Sequence, residues 1–169
     1  QVLQEGERLK NLMTKLWSGI TWQKNHRVLV LTPSSLLWSL KPLSEASDGG
    51  VILAVSEKNH SRFLAELAVL APMERPLLID SKVESIEELE DNLQFEVIGG
   101  RIPWKLFSEK DFSQLWPILT KRCTANAELS LIISNPCYGP ALSLKESLKV
   151  KINHENIDFS ILNNLISKE

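Results

Sequence analysis

This 169-residue sequence contains few cysteines and no long apolar run, and its net charge is close to zero. The two cysteines, Cys123 and Cys137, lie far apart and lack CxxC spacing, so we expect buried thiols in an intracellular protein. The longest apolar runs have the length of strands, which argues against a bilayer-spanning helix. The 19 basic and 21 acidic residues leave a formal net charge of −2, so no overall field attracts nucleic acid or an anionic membrane. These features predict a cytoplasmic protein without direct nucleic-acid or membrane contact.

Signatures of common catalytic and metal sites are also missing from the sequence. The three histidines, His26, His60 and His154, are dispersed and lack metal-ligand spacing, which argues against a zinc site. There is no GxSxG nucleophile motif, no suggested Cys–His pair and no GxxxxGKS/T phosphate loop. We therefore predict no catalytic residue and no metal ligand.

Length and composition favour one domain over residues 1–169. A chain of this length can bury one core and is short for two domains. With 43% hydrophobic and 24% charged residues, the composition is that of an ordinary globular protein. The sequence starts at Gln1 without a methionine or a signal-peptide pattern, so we expect a segment of a longer polypeptide.

Apolar strand-like segments alternate with helix-like segments along the chain. The predicted strands are 27–31, 51–55, 76–80, 95–98 and 129–133. Such alternation predicts a Rossmann-like α/β fold, with a doubly wound, mainly parallel sheet in the order 3-2-1-4-5. The side chains expected in its core are Leu29, Leu31, Leu53, Val97 and Ile132.

Helical spacing of apolar residues places the connecting helices. The first runs through Leu9 to Ile20, and the next spans Ser34 to about Ser44, where Pro42 is expected to stop it. The remaining predicted helices are 57–71, an acidic solvent-facing segment at 83–91, a helix through 112–119 despite Pro117, and a last helix around 157–165.

The turn after the first strand reads Thr32-Pro33-Ser34-Ser35 and contains no glycine. Nucleotide-binding βαβ units normally carry glycines here, because side chains block the approach of backbone N–H groups to the bound group. The sequence thus keeps the frame of such a unit and lacks its usual cofactor loop.

The order and spacing of these elements resemble a class I S-adenosylmethionine-dependent methyltransferase. More narrowly, the segments 27–31, 36–38, 48–51, 74–78 and 98–101 resemble a methyltransferase-like domain of cyanobacterial fusion proteins. In those fusions the domain follows an AAA+ ATPase of the replication-associated recombination-factor type. The resemblance implies that an AAA+ module of the same polypeptide is the partner, and that any ATPase activity lies in that module.

The resemblance also assigns candidate cofactor residues. Thr32 and Ser34 occupy the positions of the glycine-rich loop, and Asp80 a place facing the adenine. The position of the acid that holds the ribose falls on Ser56 or Glu57, of which Glu57 is the candidate. An exposed helix-capping role for Glu57 and a solvated turn for Asp80 are the structural alternatives. Because the glycines are missing, we expect no cofactor; S-adenosylmethionine is the cofactor if the domain is active.

The loop expected after the fourth strand, residues 99–104, offers one cation and no obvious base. Arg101 and Trp104 in this loop are candidates for a partner surface, since tryptophan and arginine are enriched at binding hot spots. Alternatively, Trp104 folds back and plugs the empty cleft. Trp22, in the loop before the first strand, is a second exposed-aromatic candidate.

Asn135-Pro136-Cys137-Tyr138 resembles the Asn-Pro-Pro-Tyr box of amino-group methyltransferases. That box follows the fourth strand in the family, whereas here the segment follows the fifth, so a structural loop is favoured.

Three functions remain open at this level. The first is a non-catalytic interaction or regulatory domain of an AAA+ ATPase in DNA replication or recombination. The second is an active S-adenosylmethionine-dependent methyltransferase, and the third is a pocket that binds a nucleotide as a sensor without chemistry. The missing glycines favour the first.

Overall fold

The structure, a computed structural model, describes residues 2–103, 109–134 and 147–151. Short 3-10 turns at Leu36–Trp38 and Pro72–Glu74 join the main elements. In chain order the helices and strands are α1 (Val2–Trp17), β1 (Val28–Leu31), α2 (Leu40–Glu45), β2 (Val51–Val55), α3 (Glu57–Leu67), β3 (Leu77–Asp80), α4 (Val83–Glu87), β4 (Phe95–Pro103), α5 (Glu109–Lys121), β5 (Cys123–Ser134) and β6 (Ser147–Lys151).

The strands form one sheet in the order β3-β2-β1-β4-β5-β6. The first five pair in parallel, which confirms the predicted order 3-2-1-4-5. Strand β6 pairs antiparallel with β5, with Leu129 opposite Val150. The sequence analysis identified no strand in this part of the chain, and the helix that it predicts around 157–165 lies outside the described residues.

Helices cover both faces of the sheet, as a doubly wound fold requires. On one face Leu29 and Ile98 pack with Leu115 and Leu119 of α5, and Ile86 of α4 joins them. On the other face the alternate strand residues pack with α1, α3 and the turn before α2 through Leu16, Trp17, Trp38 and Phe63. The five side chains predicted in the core are all buried, which confirms that prediction.

Strand β4 is longer than predicted, because Gly99 and Gly100 lie inside it and do not form a turn. Gly100 pairs with Leu31 of β1, and its φ of +130° favours glycine. A Cβ atom at Gly99 would lie 2.4 Å from the indole ring of Trp17. Gly99 therefore permits close approach of α1 to the sheet, and Gly100 permits close approach of the Leu31 backbone in β1. The predicted loop 99–104 was wrong for residues 99–103, and Trp104 lies outside the described residues.

The predicted helix from Ser34 to Ser44 is split into the 3-10 turn Leu36–Trp38 and α2. Pro42 does not end α2; it lies in its first turn, where the missing N–H leaves no helical hydrogen bond unmade. Helix α3 ends at Leu67, and α4 is shorter than predicted and buries Ile86. Among the described residues, no helix is long and apolar enough to cross a membrane.

Candidate functional site

A cleft of about 540 Å³ lies at the carboxyl edge of the sheet, where β1 to β4 end. Open α/β sheets bind ligands at this edge, near the point where the strand order reverses, which here lies between β1 and β4. The cleft is large enough for a small organic ligand. The lining residues nearest the strand ends are Thr32, Pro33, Ser56, Ser81 and Arg101.

The rest of the lining combines apolar and polar side chains. Leu31, Ile86, Ile102 and Leu115 contribute apolar surface, and Val83 adds to it. Polar groups come from the first turn of α3, the start of α4 and the middle of α5. A lining of this kind suits a ligand that has an apolar part and a few charged or hydrogen-bonding groups.

Thr32 adopts a backbone conformation that normally belongs to glycine. Its φ is +42°, and it is the one non-glycine residue of the described chain with a positive φ. Its hydroxyl donates a hydrogen bond to the backbone carbonyl of Arg101. Its N–H donates to the carbonyl of Ala54, 2.9 Å away. Thr32 therefore links the ends of β1, β2 and β4, and places a side chain where the fold usually leaves space for a ligand.

Pro33 is buried and lines the cleft beside Thr32. A proline has no N–H, so this turn lacks one of the donors that a glycine loop offers to a ligand. Ser34 does not line the cleft: its Oγ accepts a hydrogen bond from Trp38 Nε1 at 2.9 Å, and its carbonyl accepts one from Arg62. The side chain of Ser34 thus holds the turn before α2.

Glu57 and Asp80 lie near the cleft without lining it. The Glu57 side chain is 86% exposed, and its Oε2 lies 3.8 Å from Lys82 Nζ. Asp80 Oδ1 accepts a hydrogen bond of 2.8 Å from the N–H of Lys82, and its Oδ2 lies 3.8 Å from Lys82 Nζ. Both carboxylates therefore face Lys82, and Asp80 forms a local turn. Their predicted contacts with ribose and adenine stay predictions.

Of the residues that the structure describes, three cations and one carboxylate line the cleft: Arg101, Lys58, Lys82 and Glu84. Arg101 is half-buried, and its Nε is buried without a hydrogen-bond partner. Burial lowers the pKa of the Arg101 guanidinium below its usual range. Because arginine stays protonated in proteins, the cleft wall still contains a partly desolvated cation. Arg101 was predicted in a partner-binding loop, whereas the structure places it in β4, in the cleft wall.

Several polar lining residues were not predicted from the sequence: Asn59, Ser81 and Gln114. Ser56 is the sequence-based alternative to Glu57 at the ribose position. Ser56 and Asn59 lie at the start of α3, where Asn59 Nδ2 donates to Ser56 Oγ at 3.1 Å. Ser81 follows β3, and Gln114 projects from α5. For Ser56 and Ser81 the available signal was their position directly after a strand end, which the carboxyl-edge rule points to. Asn59 and Gln114 lie within helices, and the rule does not point to them.

Trp22 packs against the core. Its ring centroid lies 5.6 Å from that of Trp17, and the side chain is only partly exposed. It is therefore a poor candidate for a free aromatic surface. The box at 135–138 lies outside the described residues.

Cys123 is buried, as predicted, and Cys137 lies outside the described residues. Within the ranges that the structure covers, no three histidine, cysteine or acidic side chains are grouped to hold a metal ion.

No family model and no curated protein matches this sequence. Solved structures do match it. Coclaurine N-methyltransferase bound to N-methylheliamine and SAH has 12% identity and a TM-score of 0.54, over 72% of this chain and 34% of that one. Precorrin-6y C5,15-methyltransferase from Geobacter metallireducens has 13% identity and a TM-score of 0.55, over 72% and 60%. An S-adenosylmethionine-dependent O-methyltransferase from Thermotoga maritima has 10% identity and a TM-score of 0.56, over 75% and 45%.

These neighbours share the fold: this chain has the class I methyltransferase-like α/β fold that the sequence predicts. At 10 to 13% identity the similarity concerns the fold alone. The chain covers between 34% and 60% of the lengths of the three proteins.

Proposed function

We propose that this chain is a methyltransferase-like domain that does not transfer methyl groups and acts as an interaction or regulatory module. Its proposed partner is an AAA+ ATPase module of the recombination-factor type in the same cytoplasmic polypeptide. The resemblance of segments such as 27–31 and 98–101 to the fusion domains supports this partner. Any ATPase activity would belong to the partner module.

The first turn is the observation that carries the proposal. Thr32 holds the left-handed conformation of a loop glycine, but its side chain bonds to the Arg101 carbonyl. Pro33, buried beside it, removes an N–H. A cofactor that needs close approach to this backbone meets a methyl group and a ring in place of free donors. The cleft is therefore retained, but the backbone contacts that would bind S-adenosylmethionine are lost.

Exposed apolar side chains support the interaction role. Leu64, Val69, Met73 and Leu77 are between 54% and 97% exposed, and they lie in α3, in the following loop and in β3. Strand β3 is an edge strand of the sheet. These residues lie within one stretch of chain, 64–77, and we propose this stretch as the contact with the ATPase module, because exposed apolar surface is typical of protein interaction sites.

An active methyltransferase is the second candidate, because the cleft persists at the carboxyl edge of a methyltransferase-like sheet. In that case Glu57 would have to turn away from Lys82 to reach a ribose. Production of S-adenosylhomocysteine by the purified chain in the presence of an acceptor substrate would favour this candidate over the first.

Restoring glycines at the first turn tests the proposal. In a Thr32→Gly, Pro33→Gly double variant, calorimetry should detect S-adenosylmethionine binding at least about tenfold tighter than in the parent chain. Ser34→Gly is the matched control, because its side chain lies outside the cleft lining, and it should leave the affinity unchanged. An unchanged affinity in a folded double variant would contradict the idea that this turn excludes the cofactor.

A further inference from the structure

We infer that the cleft binds a nucleotide-sized organic phosphate, with Arg101 as the residue that holds the negative group. This inference rests on the proposed function, since it assigns to the cleft a ligand other than S-adenosylmethionine. Four features carry it: a guanidinium in the cleft wall without a described partner, the charge of the described lining residues, the size of the cleft and its apolar walls.

Arg101 lines the cleft, and none of the described hydrogen bonds or ion pairs involves its guanidinium. Its Nε is buried, so the terminal N–H groups are the donors that a ligand in the cleft can reach. None of the described carboxylates lies within ion-pair distance of the guanidinium, and its pKa is lowered by burial alone. Arginine binds phosphate through two or more N–H groups at once, which suits a planar donor on a cleft wall.

The lining has more positive than negative charge. Lys82 is shared by Glu57 and Asp80, each 3.8 Å away, so its charge is largely offset. Among the described lining residues, the remaining cations are Arg101 and Lys58, and Glu84 is the one carboxylate that opposes them. Lys58 lies in the first turn of α3, where the helix dipole also favours an anion. Electrostatic attraction to both cations therefore favours the binding of an anionic ligand.

Size and polarity limit the kind of anion. A volume of about 540 Å³ exceeds what a simple inorganic ion fills. The ligand must also present an uncharged, largely apolar surface, because apolar side chains form much of the cleft wall: Leu31, Ile86, Ile102 and Leu115. A nucleotide combines both parts, since its flat base can pack on the apolar wall while its phosphates reach Arg101.

The charge of S-adenosylmethionine disfavours it as the ligand. That molecule carries a sulfonium and an ammonium group against one carboxylate, so its net charge is positive. Placed between Arg101 and Lys58, it would meet like charges in a partly desolvated site, which raises the cost of binding. ADP carries negative charge and has nearly the same base and sugar.

A calorimetric panel tests the inference with the full chain in metal-free buffer. ADP should bind with a dissociation constant below about 100 μM, and adenosine, which lacks only the phosphates, at least about tenfold more weakly. ADP binding should also weaken as salt is raised, since screening reduces the charge attraction. Equal affinities for ADP and adenosine, or no ADP binding at millimolar concentration, would overturn the inference.

Single variants then test which residue binds the phosphate group. Arg101→Gln should weaken ADP binding at least about tenfold, and Lys58→Gln should weaken it by a smaller factor. Lys24→Gln is the matched control: it removes the same charge from an exposed residue before β1, outside the cleft lining, and should change binding less than about twofold. If Arg101→Gln does not fold, the Lys58→Gln variant and the salt series decide. A loss in Lys24→Gln equal to that in the cleft variants would contradict a defined site.

A titration with S-adenosylmethionine, added to this panel, separates the inference from the proposed function. Tight binding of S-adenosylmethionine would contradict the loss of the cofactor grip, whatever ADP does. Failure of ADP to bind, together with weak S-adenosylmethionine binding, would remove the phosphate site and leave the non-catalytic role intact.

Discussion

Arg122 Nη2 donates a hydrogen bond of 2.7 Å to the backbone carbonyl of Glu87, 35 residues earlier in the chain. The same guanidinium also donates to the carbonyls of Leu89, Glu90 and Leu93, and Arg122 is 1% exposed. One buried cation thus satisfies the carbonyl groups that follow α4 and attaches this loop to the end of α5.

The Arg122→Met variant should therefore be strongly destabilised. The substitution leaves several carbonyls of the loop without donors, and we expect a loss of about 3 kcal/mol in the free energy of unfolding, measured with urea. Lys121→Met is the neighbouring control. Its ion pair with Asp91 spans 3.6 Å between side chains that are 64% and 93% exposed, so its loss should cost less than about 1 kcal/mol. Similar costs for both variants would contradict a special role for Arg122.

Gly99→Ala should also destabilise the fold. The added Cβ would lie 2.4 Å from the Trp17 ring, and that ring is held by a 3.1 Å hydrogen bond from its Nε1 to the Trp38 carbonyl. We expect a cost of about 1–3 kcal/mol from overpacking in urea unfolding.

Gly6→Ala is the control for the Gly99→Ala measurement, because the same substitution is expected to stabilise the protein at this position. Gly6 lies in α1, and a Cβ there would have no neighbour within 4 Å. This variant should be more stable than the parent by about 0.5–1 kcal/mol, because alanine favours the helix. If Gly99→Ala were equally harmless, the close contact between β4 and Trp17 would be wrong.

The Cys123 thiol should be unreactive in the folded protein. Burial raises its pKa to about 12 from an ordinary value of 9.0, and its Sγ lies 3.1 Å from the Leu119 carbonyl. Iodoacetamide at about pH 9 should leave Cys123 unmodified in native buffer and modify it in denaturant, as judged by peptide mass mapping. Rapid modification in native buffer would show that the thiol is accessible.

The same pKa shift makes a prediction about pH and stability. Between pH values of about 9 and 12 the unfolded chain loses this proton while the folded chain keeps it, so the free energy of unfolding falls as pH rises. Below about pH 9 both states keep the proton, and the thiol adds no pH dependence. Over the alkaline range, Cys123→Ala should lose less stability than the parent. Equal losses in the two proteins would contradict the shift.

The strand order could be predicted because apolar runs such as 51–55 alternate with helical segments, and right-handed crossovers leave few arrangements. The extent of β4 could not be predicted, because a pair of glycines is as typical of a turn as of a closely packed strand. Only the ring of Trp17 and the carbonyl of Leu31 reveal which role Gly99 and Gly100 have. Strand β6 was missed because the segment 147–151 is short and lies outside the regular βα pattern, although its alternation of apolar and polar residues is typical of a strand.

The position of the candidate site could be predicted from the sequence, but only some of the residues that line it could. The carboxyl-edge rule locates the cleft, and Thr32 lines it. Arg101 was assigned to a loop because the length of β4 was underestimated. The sequence could not reveal that Glu57 and Asp80 both face Lys82, since this depends on how the turn after β3 folds beside α3.

The most direct test of the central claim is a calorimetric titration of the chain with S-adenosylmethionine. Because Thr32 and Pro33 replace the glycine loop, we expect a dissociation constant weaker than about 10 μM, which corresponds to a binding free energy of less than about 7 kcal/mol in magnitude. Saturable binding tighter than that value would contradict the account and restore the active methyltransferase as the leading function.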